Sequence, residues 1–266
     1  MLKIFAFTSN RADLIEIQMQ SFQKYIQEDF SFTVFNNSKV DRPEQSASIE
    51  HVCKKWGVTL IDVKLDADLI ARCNTFEKSC TMLNNAGRWS NPNCAGSYAC
   101  VYVWEKYISK EKGPICLIHP DVFFDRPVKL TDYLKITPLR FNAQSSPGLG
   151  GIYMADCMVL ADMDRLPNPE TINWMGSLVN GINTDGGGHT FFYLQEHPEF
   201  VPTIHRRYIE YDPAVDFQPS DYEIFSIENA PVAIHYLRGS NWNNRSFDYH
   251  VKKTAWLRKR LGLEAA

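Results

Sequence analysis

The sequence predicts an α/β fold in which a mostly parallel central sheet is flanked by helices. Over the first 63 residues, short apolar segments typical of strands alternate with segments of helical periodicity. Strands joined through helices are normally parallel, because the chain must cross back over the sheet. A further apolar strand over 114–119 leads directly into a polar turn. The length of 266 residues suits one domain with a sizeable core.

Local patterns give the order of the elements. The first strand, 3–8, precedes a helix whose apolar face is formed by Ile15, Met19, Phe22 and Ile26. Later strands are predicted at 31–35, 58–63, 114–119 and 232–236, and later helices at 44–55, 97–109, 190–195 and 248–261. An apolar stretch over 152–160 follows Gly150-Gly151. Neither an internal repeat nor a clear linker is present, so we predict a single domain over 1–266.

Charge and composition argue against several classes of protein. With a formal net charge of −3, the chain has no basic field that would indicate nucleic acid as its main partner. No apolar run reaches the roughly 18 residues of a membrane helix, and the apolar start is too short for a signal peptide. The seven cysteines are scattered without a CxxC pair, which argues against a disulfide framework and a structural zinc site. We therefore expect a cytoplasmic protein whose cysteines are mostly small buried hydrophobes.

Three polar clusters stand at the carboxyl ends of predicted strands. They are Thr8-Ser9-Asn10-Arg11, His119-Pro120-Asp121, and His235 with the turn after it. In open α/β sheets, ligands bind outside the carboxyl ends of the strands. The shared position of the three clusters therefore predicts a binding site at this edge of the sheet.

The middle cluster has the chemistry of a metal site. His119 and Asp121 are two residues apart, so an extended chain directs both side chains to one side. Aspartate oxygens suit Mg²⁺ and Mn²⁺, and imidazole is compatible with Mn²⁺. A cation there could neutralise a diphosphate leaving group. The alternative is an ordinary turn at the end of a strand.

Two segments resemble a known family. The run 115–124 resembles the strand and DxD motif of GT-A glycosyltransferases, with His119 in place of the first aspartate and Asp121 matching the second. The run 233–242 resembles a late segment of the retaining, glycogenin-like or galactosyltransferase-like branch, in which the histidine, here His235, is a third metal ligand. The resemblance implies a GT-A fold, that of Rossmann-like nucleotide-diphospho-sugar transferases, and a hexosyl- or related glycosyltransferase. It also implies Mn²⁺ or Mg²⁺ as cofactor, a nucleotide-sugar donor with UDP-sugars favoured, and a glycan or other hydroxyl acceptor.

The resemblance also implies roles for individual residues. It assigns metal binding to His119, Asp121 and His235, and nucleotide or substrate binding to Thr8, Ser9, Arg11, Arg238 and Trp242. Arg245 is an alternative to Arg238 for the diphosphate contact, since guanidinium matches phosphate geometry. On this reading 1–124 is the nucleotide-binding half, 125–247 the acceptor half and 248–266 a C-terminal basic helix.

Asp156 and Asp185 are the catalytic candidates. Asp156 lies in the apolar stretch after Gly150-Gly151, where the family has a strand behind the transferred sugar. Asp185 precedes a run of three glycines that permits close backbone approach. The resemblance implies that Asp156 hydrogen-bonds sugar hydroxyls or stabilises positive charge at the anomeric carbon, and that Asp185 contacts hydroxyls of the donor or the acceptor. The alternatives are a strand-edge aspartate and a helix-capping aspartate.

Departures from the family pattern keep other functions open. The branch has a lysine where Ser240 and Asn241 stand, and His119 replaces an expected aspartate. A catalytically silent carbohydrate- or nucleotide-binding protein is therefore an alternative. A sugar-phosphate nucleotidyltransferase is a second alternative, disfavoured because the turn after the first strand has no glycine. The basic terminal helix is predicted to be solvated, with contact to a membrane surface as the alternative.

Overall fold

The structure, a computed structural model, describes residues 1–8, 10–38, 43–75, 92–176, 178–209, 222–237, 239 and 246–263, without the side chains of 73–75 and 92–95. Its helices are α1 Ala12–Tyr25, α2 Ser46–Trp56, α3 Ala67–Thr75, α4 Pro92–Lys106, α5 Thr190–Glu196 and α6 Phe247–Arg260. Its strands are β1 Leu2–Thr8, β2 Phe30–Asn36, β3 Thr59–Asp62, β4 Pro114–Ile118, β5 Val122–Phe124, β6 Leu139–Gln144, β7 Tyr153–Asp162, β8 Leu178–Val179, β9 Ile182–Asn183, β10 Ile204–Tyr208, β11 Glu223–Ile227 and β12 Ala230–His235. Among the helices described, none is long and apolar enough to cross a membrane.

Ten strands form one mixed sheet in the order β3-β2-β1-β4-β7-β6-β10-β11-β12-β5, and β8 pairs with β9 apart from it. The four strands from β3 to β4 are parallel, as the alternation of strands and helices predicts. The other pairings are antiparallel, except for one parallel bridge between β10 and β6. The α/β class with flanking helices is thus confirmed, and its parallel part is the core formed by the first half of the chain.

The sheet is buried on both faces, and β1 shows how. Phe5 and Phe7 point into an apolar layer formed with α4, which contributes the buried Trp104. Ile4 on the opposite face packs into a second layer with Phe22 of α1. Because successive strand residues face opposite sides, β1 must be apolar at almost every position, which explains its continuous hydrophobic run. Each fully buried side chain of this size contributes about 1.5–3 kcal/mol.

The terminal helix α6 differs from the predicted solvated basic face. Lys253 is buried, and its ammonium group donates to the carbonyl oxygen of Tyr236 while lying over that ring. Leu257 and Leu261 pack against α1 residues such as Ile17. The prediction was wrong for Lys253 because α6 packs with that position toward the end of β12, whereas neighbouring basic residues such as Lys252 and Lys259 are exposed. Membrane-surface contact through this helix stays a prediction.

Candidate metal centre and active site

The parallel strands end in polar side chains along one edge. Thr8, Asn36 and Asp62 are adjacent across β1, β2 and β3, and the Asn36 amide donates to the Asp62 carboxylate at 3.0 Å. His119 directly follows β4 on the other side of β1. The Thr8 hydroxyl is buried and makes no hydrogen bond to the described residues. This edge is where the sequence predicts a ligand site.

The turn that carries His119 and Asp121 is held from two sides. The backbone N–H of His119 donates to the carbonyl of Cys157 on β7 at 2.9 Å. On the other side, the buried Gln18 of α1 donates its amide to the carbonyls of His119 and Val122, at 2.7 and 2.9 Å. The turn is therefore fixed by hydrogen bonds to a neighbouring strand and a helix, so that its side chains have defined directions.

Asp121 is buried with one carboxylate oxygen bound and the other available. Its Oδ2 accepts the backbone N–H of Gly239 at 2.8 Å. Its Oδ1 makes no hydrogen bond to the described residues and lies 3.3 Å from Nε2 of His235 and 3.7 Å from Nδ1 of His119. A Cβ at Gly239 would lie 2.6 Å from the Cβ of Asp121, which explains why the late segment has a glycine here. The structure thus brings together the three side chains predicted as metal ligands.

His235 is oriented by a residue that the sequence reasoning missed. Glu223 lies directly opposite His235 across β11 and β12, is fully buried, and has its Oε2 2.9 Å from Nδ1 of the imidazole. With Nδ1 engaged, Nε2 is directed toward Asp121. A carboxylate that bonds the far nitrogen of a ligating histidine fixes its tautomer and raises its basicity. The available signal was a glutamate at the start of a short segment rich in apolar residues, Glu223–Ile227.

A β-bulge on β7 brings two consecutive residues toward the same cluster. Phe141 pairs with Val159, but the next residue of β6, Asn142, pairs with Ala155, so three extra residues of β7 lie between them. A bulge of this kind redirects side chains that regular pleating would send to opposite faces. Asp156 Oδ1 lies 3.3 Å from Nε2 of His119. The sulfur of Cys157 lies within 4.8 Å of ligand atoms of both His119 and His235.

The glycine-rich loop packs against Asp156. The carboxylate of Asp156 approaches Gly186 so closely that a Cβ there would lie 2.7 Å from Oδ2. Asp185, the exposed neighbour of Gly186, has its Oδ1 bonded to the N–H of that glycine at 2.9 Å. Close backbone approach within the glycine run is observed at Gly187, which has φ +84° and packs against the carbonyl of Met154.

Replacing Gly187 by alanine is expected to destabilise the fold. Its Cβ would lie 2.1 Å from the Met154 carbonyl oxygen, and φ is +84°. We expect a loss of about 2–4 kcal/mol in the free energy of unfolding, from left-handed strain plus overpacking. Gly181→Ala is the matched control, because its φ is +81° but nothing lies within 4 Å of its Cβ. Urea titrations of both variants check this, and equal losses would contradict the steric argument.

Charges of opposite sign stabilise one another inside this cluster. Burial alone would lower the pKa of His119, but Asp156 and Asp121 outweigh it and raise that pKa well above the ordinary histidine value. Burial opposes ionisation of Asp121, yet the two histidines hold the pKa of its carboxyl well below the usual range. The pKa of His235 is raised by Asp121 and Glu223 against the effect of burial. The carboxylates of the cluster therefore favour positive charge on the imidazoles between them. A bound cation would supply that positive charge in place of the imidazole protons.

The residues fit a divalent cation by their own chemistry. Buried Oδ1 of Asp121 has no hydrogen bond to any residue that the structure describes, and two imidazoles face it. Ligand atoms of His119, Cys157 and His235 all lie within 4.8 Å of one another. Carboxylate and imidazole together are common ligands of Mn²⁺ and related ions.

The predicted donor-binding residues are described only in part. Ser9, Arg238, Trp242 and the alternative Arg245 lie outside the described residues. Arg11 is not directed to solvent: its guanidinium is buried, bonds Asp13 at 2.6 and 2.7 Å, and lies 3.2 Å from the Thr254 hydroxyl and 5.7 Å from the centre of the Tyr236 ring. Its role toward a nucleotide stays a prediction.

Comparison with family models and with curated proteins gives no match. Among solved structures, the chain is similar to the apo form of mouse xyloside xylosyltransferase 1, with 10% identity, coverage of 75% of this chain and 83% of that chain, and a TM-score of 0.43. It is also similar to the galactosyltransferase LgtC in complex with donor and acceptor sugar analogs, with 13% identity, 62% and 59% coverage, and a TM-score of 0.39. An active-site mutant of LgtC gives 13% identity, 62% and 58% coverage, and a TM-score of 0.38. Similarity at this level does not establish function, which has to be argued from the site itself.

Proposed function

We propose that this protein is a GT-A glycosyltransferase that moves a hexosyl or related sugar from a nucleotide-diphosphate sugar to an acceptor hydroxyl. The observation that carries the proposal is the convergence of His119, Asp121 and His235 at the carboxyl edge of the parallel strands, beside the carboxylate of Asp156. Such a transfer needs a set of metal ligands, a second carboxylate and a polar strand edge that lie close together. Here the set of metal ligands, called the cation cluster below, is His119, Asp121 and His235.

In this proposal the donor binds along the edge formed by β1, β2 and β4. Parallel strands direct their carboxyl ends to one crevice, which is where open α/β sheets bind nucleotides. The buried Thr8 hydroxyl, without a hydrogen bond to any described residue, is a candidate partner for the base or ribose. Phe7, the neighbour of Thr8 in β1, packs its ring edge-to-face with the His119 ring, with ring centres 5.3 Å apart. A UDP-sugar is the favoured donor.

A divalent cation, Mn²⁺ or Mg²⁺, would be held by Asp121 and the two histidines. When bound, it supplies positive charge next to the leaving diphosphate, as metal ions do at phosphoryl oxygens. Glu223 keeps the His235 ring in the orientation that presents Nε2, and Gly239 fixes the second oxygen of Asp121. Arg238 or Arg245 would add a further contact to the diphosphate, and the ring of Trp242 would pack against the substrate.

We propose that Asp156 and Asp185 lie next to the transferred sugar and the acceptor. The Asp156 carboxylate contacts Nε2 of His119, whereas Asp121 lies on the Nδ1 side of the same ring. The charge of Asp156 is therefore next to the cation cluster, although Asp156 is not one of its three ligands. A carboxylate there can accept hydrogen bonds from sugar hydroxyls and stabilise positive charge that develops at the anomeric carbon. Asp185, exposed on the adjoining loop, can bind a hydroxyl of the donor sugar or the acceptor.

Metal-dependent hydrolysis of the donor is the test of this function. In a panel of nucleotide sugars we expect the protein to release free UDP from at least one UDP-sugar when Mn²⁺ is present. Chelation should abolish the release, and added Mn²⁺ should restore it. Binding of nucleotide sugars without any turnover in the panel would favour a catalytically silent binding protein. Release of pyrophosphate from a nucleoside triphosphate and a sugar phosphate would instead favour nucleotidyl transfer.

Replacing Glu223 by glutamine tests how the metal ligand is oriented. The amide can still bond Nδ1 of His235 but no longer raises its basicity, so we expect Mn²⁺ affinity in the presence of UDP to fall about 10–100-fold. Glu228→Gln, at the turn of the same hairpin and bonded to Arg140, is the control that should leave metal affinity unchanged. An unchanged Mn²⁺ titration for Glu223→Gln would remove His235 from the ligand set.

A further inference from the structure

We propose that the thiolate of Cys157 is a fourth ligand of the cation site, and that the site therefore selects a thiophilic transition-metal ion over Mg²⁺. This inference rests on the metal site of the proposed function and adds its ligand chemistry and metal preference. The sequence alone treats Cys157 as a small buried hydrophobe. The position of its sulfur in the folded chain is the new observation.

Geometry places Cys157 with the ligands. Its Sγ lies with ligand atoms of His119 and His235 in a group whose members are all within 4.8 Å of one another. In a tetrahedral site with ordinary metal–nitrogen and metal–sulfur bonds, ligand atoms are about 3.3–3.6 Å apart. Shifts of about 1 Å in the side-chain atoms would bring the ligand atoms to these separations around an ion. Since the Cys157 carbonyl accepts the His119 N–H at 2.9 Å, the two backbones already have a fixed separation.

The bulge on β7 is what makes this position possible. Asp156 and Cys157 are consecutive, and in regular pleating only one of them could face His119. The three extra residues between the pairings of Ala155 and Val159 interrupt the pleat at this point. Cys157 is also buried, like Asp121 and His235.

The resulting donor set is unlike an all-oxygen magnesium site. The group within 4.8 Å consists of two imidazoles and one thiol, and the Asp121 carboxylate adjoins it through its contacts of 3.3 and 3.7 Å with the imidazoles. Such a set suits Zn²⁺, Co²⁺ and related ions, whereas Mg²⁺ requires hard oxygen ligands and retains several waters. On binding, the Cys157 thiol loses its proton to solvent as the sulfur–metal bond forms, so that one proton is released from this group for each ion bound. Affinity should rise from Mn²⁺ to Co²⁺, and Mg²⁺ should bind most weakly.

Cobalt absorption in the chelator-treated full chain, without nucleotide, tests the inference directly. Titration with Co²⁺ alone should give visible ligand-field bands and a near-ultraviolet thiolate-to-metal charge-transfer band that saturate together at one equivalent. Zn²⁺ should displace Co²⁺, and excess Mg²⁺ should not. Cys157→Ala should retain the ligand-field bands and lose the charge-transfer band. Cys53→Ala, a buried cysteine on α2 outside the cluster, should keep both.

The outcomes separate this inference from the function on which it rests. A charge-transfer band that persists in Cys157→Ala, or ligand-field bands without any thiolate band in the unmodified chain, would overturn the role of Cys157 alone. Displacement of Co²⁺ by Mg²⁺ at comparable concentration would overturn the metal preference. Failure of the chain to bind Co²⁺ at all would overturn the cation site, and with it the metal dependence of the proposed function. Circular dichroism of both alanine variants establishes that each is folded.

Discussion

Asp121→Asn is expected to abolish most of the metal dependence of nucleotide binding. The substitution is isosteric and leaves an oxygen to accept the Gly239 N–H, so the turn between β4 and β5 should keep its shape. What it removes is the charge on Oδ1, the atom that faces His119 and His235 and makes no hydrogen bond within the described part of the chain. Outer partners of metal ligands contribute about 10–100-fold to affinity, so loss of a direct anionic ligand should cost at least about 100-fold. The measurement is UDP affinity by calorimetry with and without Mn²⁺.

The control is Asp132→Asn, an exposed aspartate on the turn Leu130–Leu134 that pairs with Lys135. It changes the net charge equally and lies outside the cluster, so the Mn²⁺ effect on UDP affinity should be unchanged. If Asp121→Asn retained the full Mn²⁺ effect, the assignment of Asp121 as a ligand would be wrong. A loss of UDP affinity equal in the presence and absence of Mn²⁺ would place Asp121 against the nucleotide instead.

The parallel half of the fold could be predicted from the sequence because its information is local. Buried parallel strands are apolar at nearly every position, and amphipathic helices such as α1 have a visible period. The strand-end position of Asp121 follows from the same pattern, since a parallel strand fixes which end its turn occupies. His235 was found through its own strand and motif. That these two side chains meet follows from the antiparallel pairing of β5 with β12, which no local pattern shows.

The parts that could not be predicted depend on contacts distant in sequence. Glu223 reaches His235 only because the register of β11 and β12 places them opposite each other. Cys157 lies beside the cluster where β7 has a bulge, and an irregularity of this kind cannot be seen in the apolar pattern of the strand. Lys253 is buried because a helix, α6, packs over the end of β12. In each case the residue type was visible, and the missing information was which backbone lay beside it.

Asp156→Asn is expected to reduce turnover by about 10²–10³-fold while donor affinity changes little. A charged group aimed at developing charge contributes mainly in the transition state, and removal of such a group typically has an effect of this size. Asp185→Asn should have a smaller effect, about tenfold, because one hydrogen bond to a hydroxyl contributes about 1–1.5 kcal/mol. Both are measured as kcat and KM for donor hydrolysis, with UDP and Mn²⁺ affinities determined for each variant.

The contact between Asp156 and His119 makes the metal titration necessary. If Asp156→Asn lowered Mn²⁺ affinity in parallel with the rate, Asp156 would be a positioning residue that acts through His119 at 3.3 Å. A fall in kcat with unchanged Mn²⁺ and UDP affinities supports direct contact with the reacting sugar. Asp162→Asn, at the opposite end of β7, is the matched control and should retain full activity. Full activity in both Asp156→Asn and Asp185→Asn would place the reaction outside the region between β7 and the glycine loop, although the cation cluster would remain.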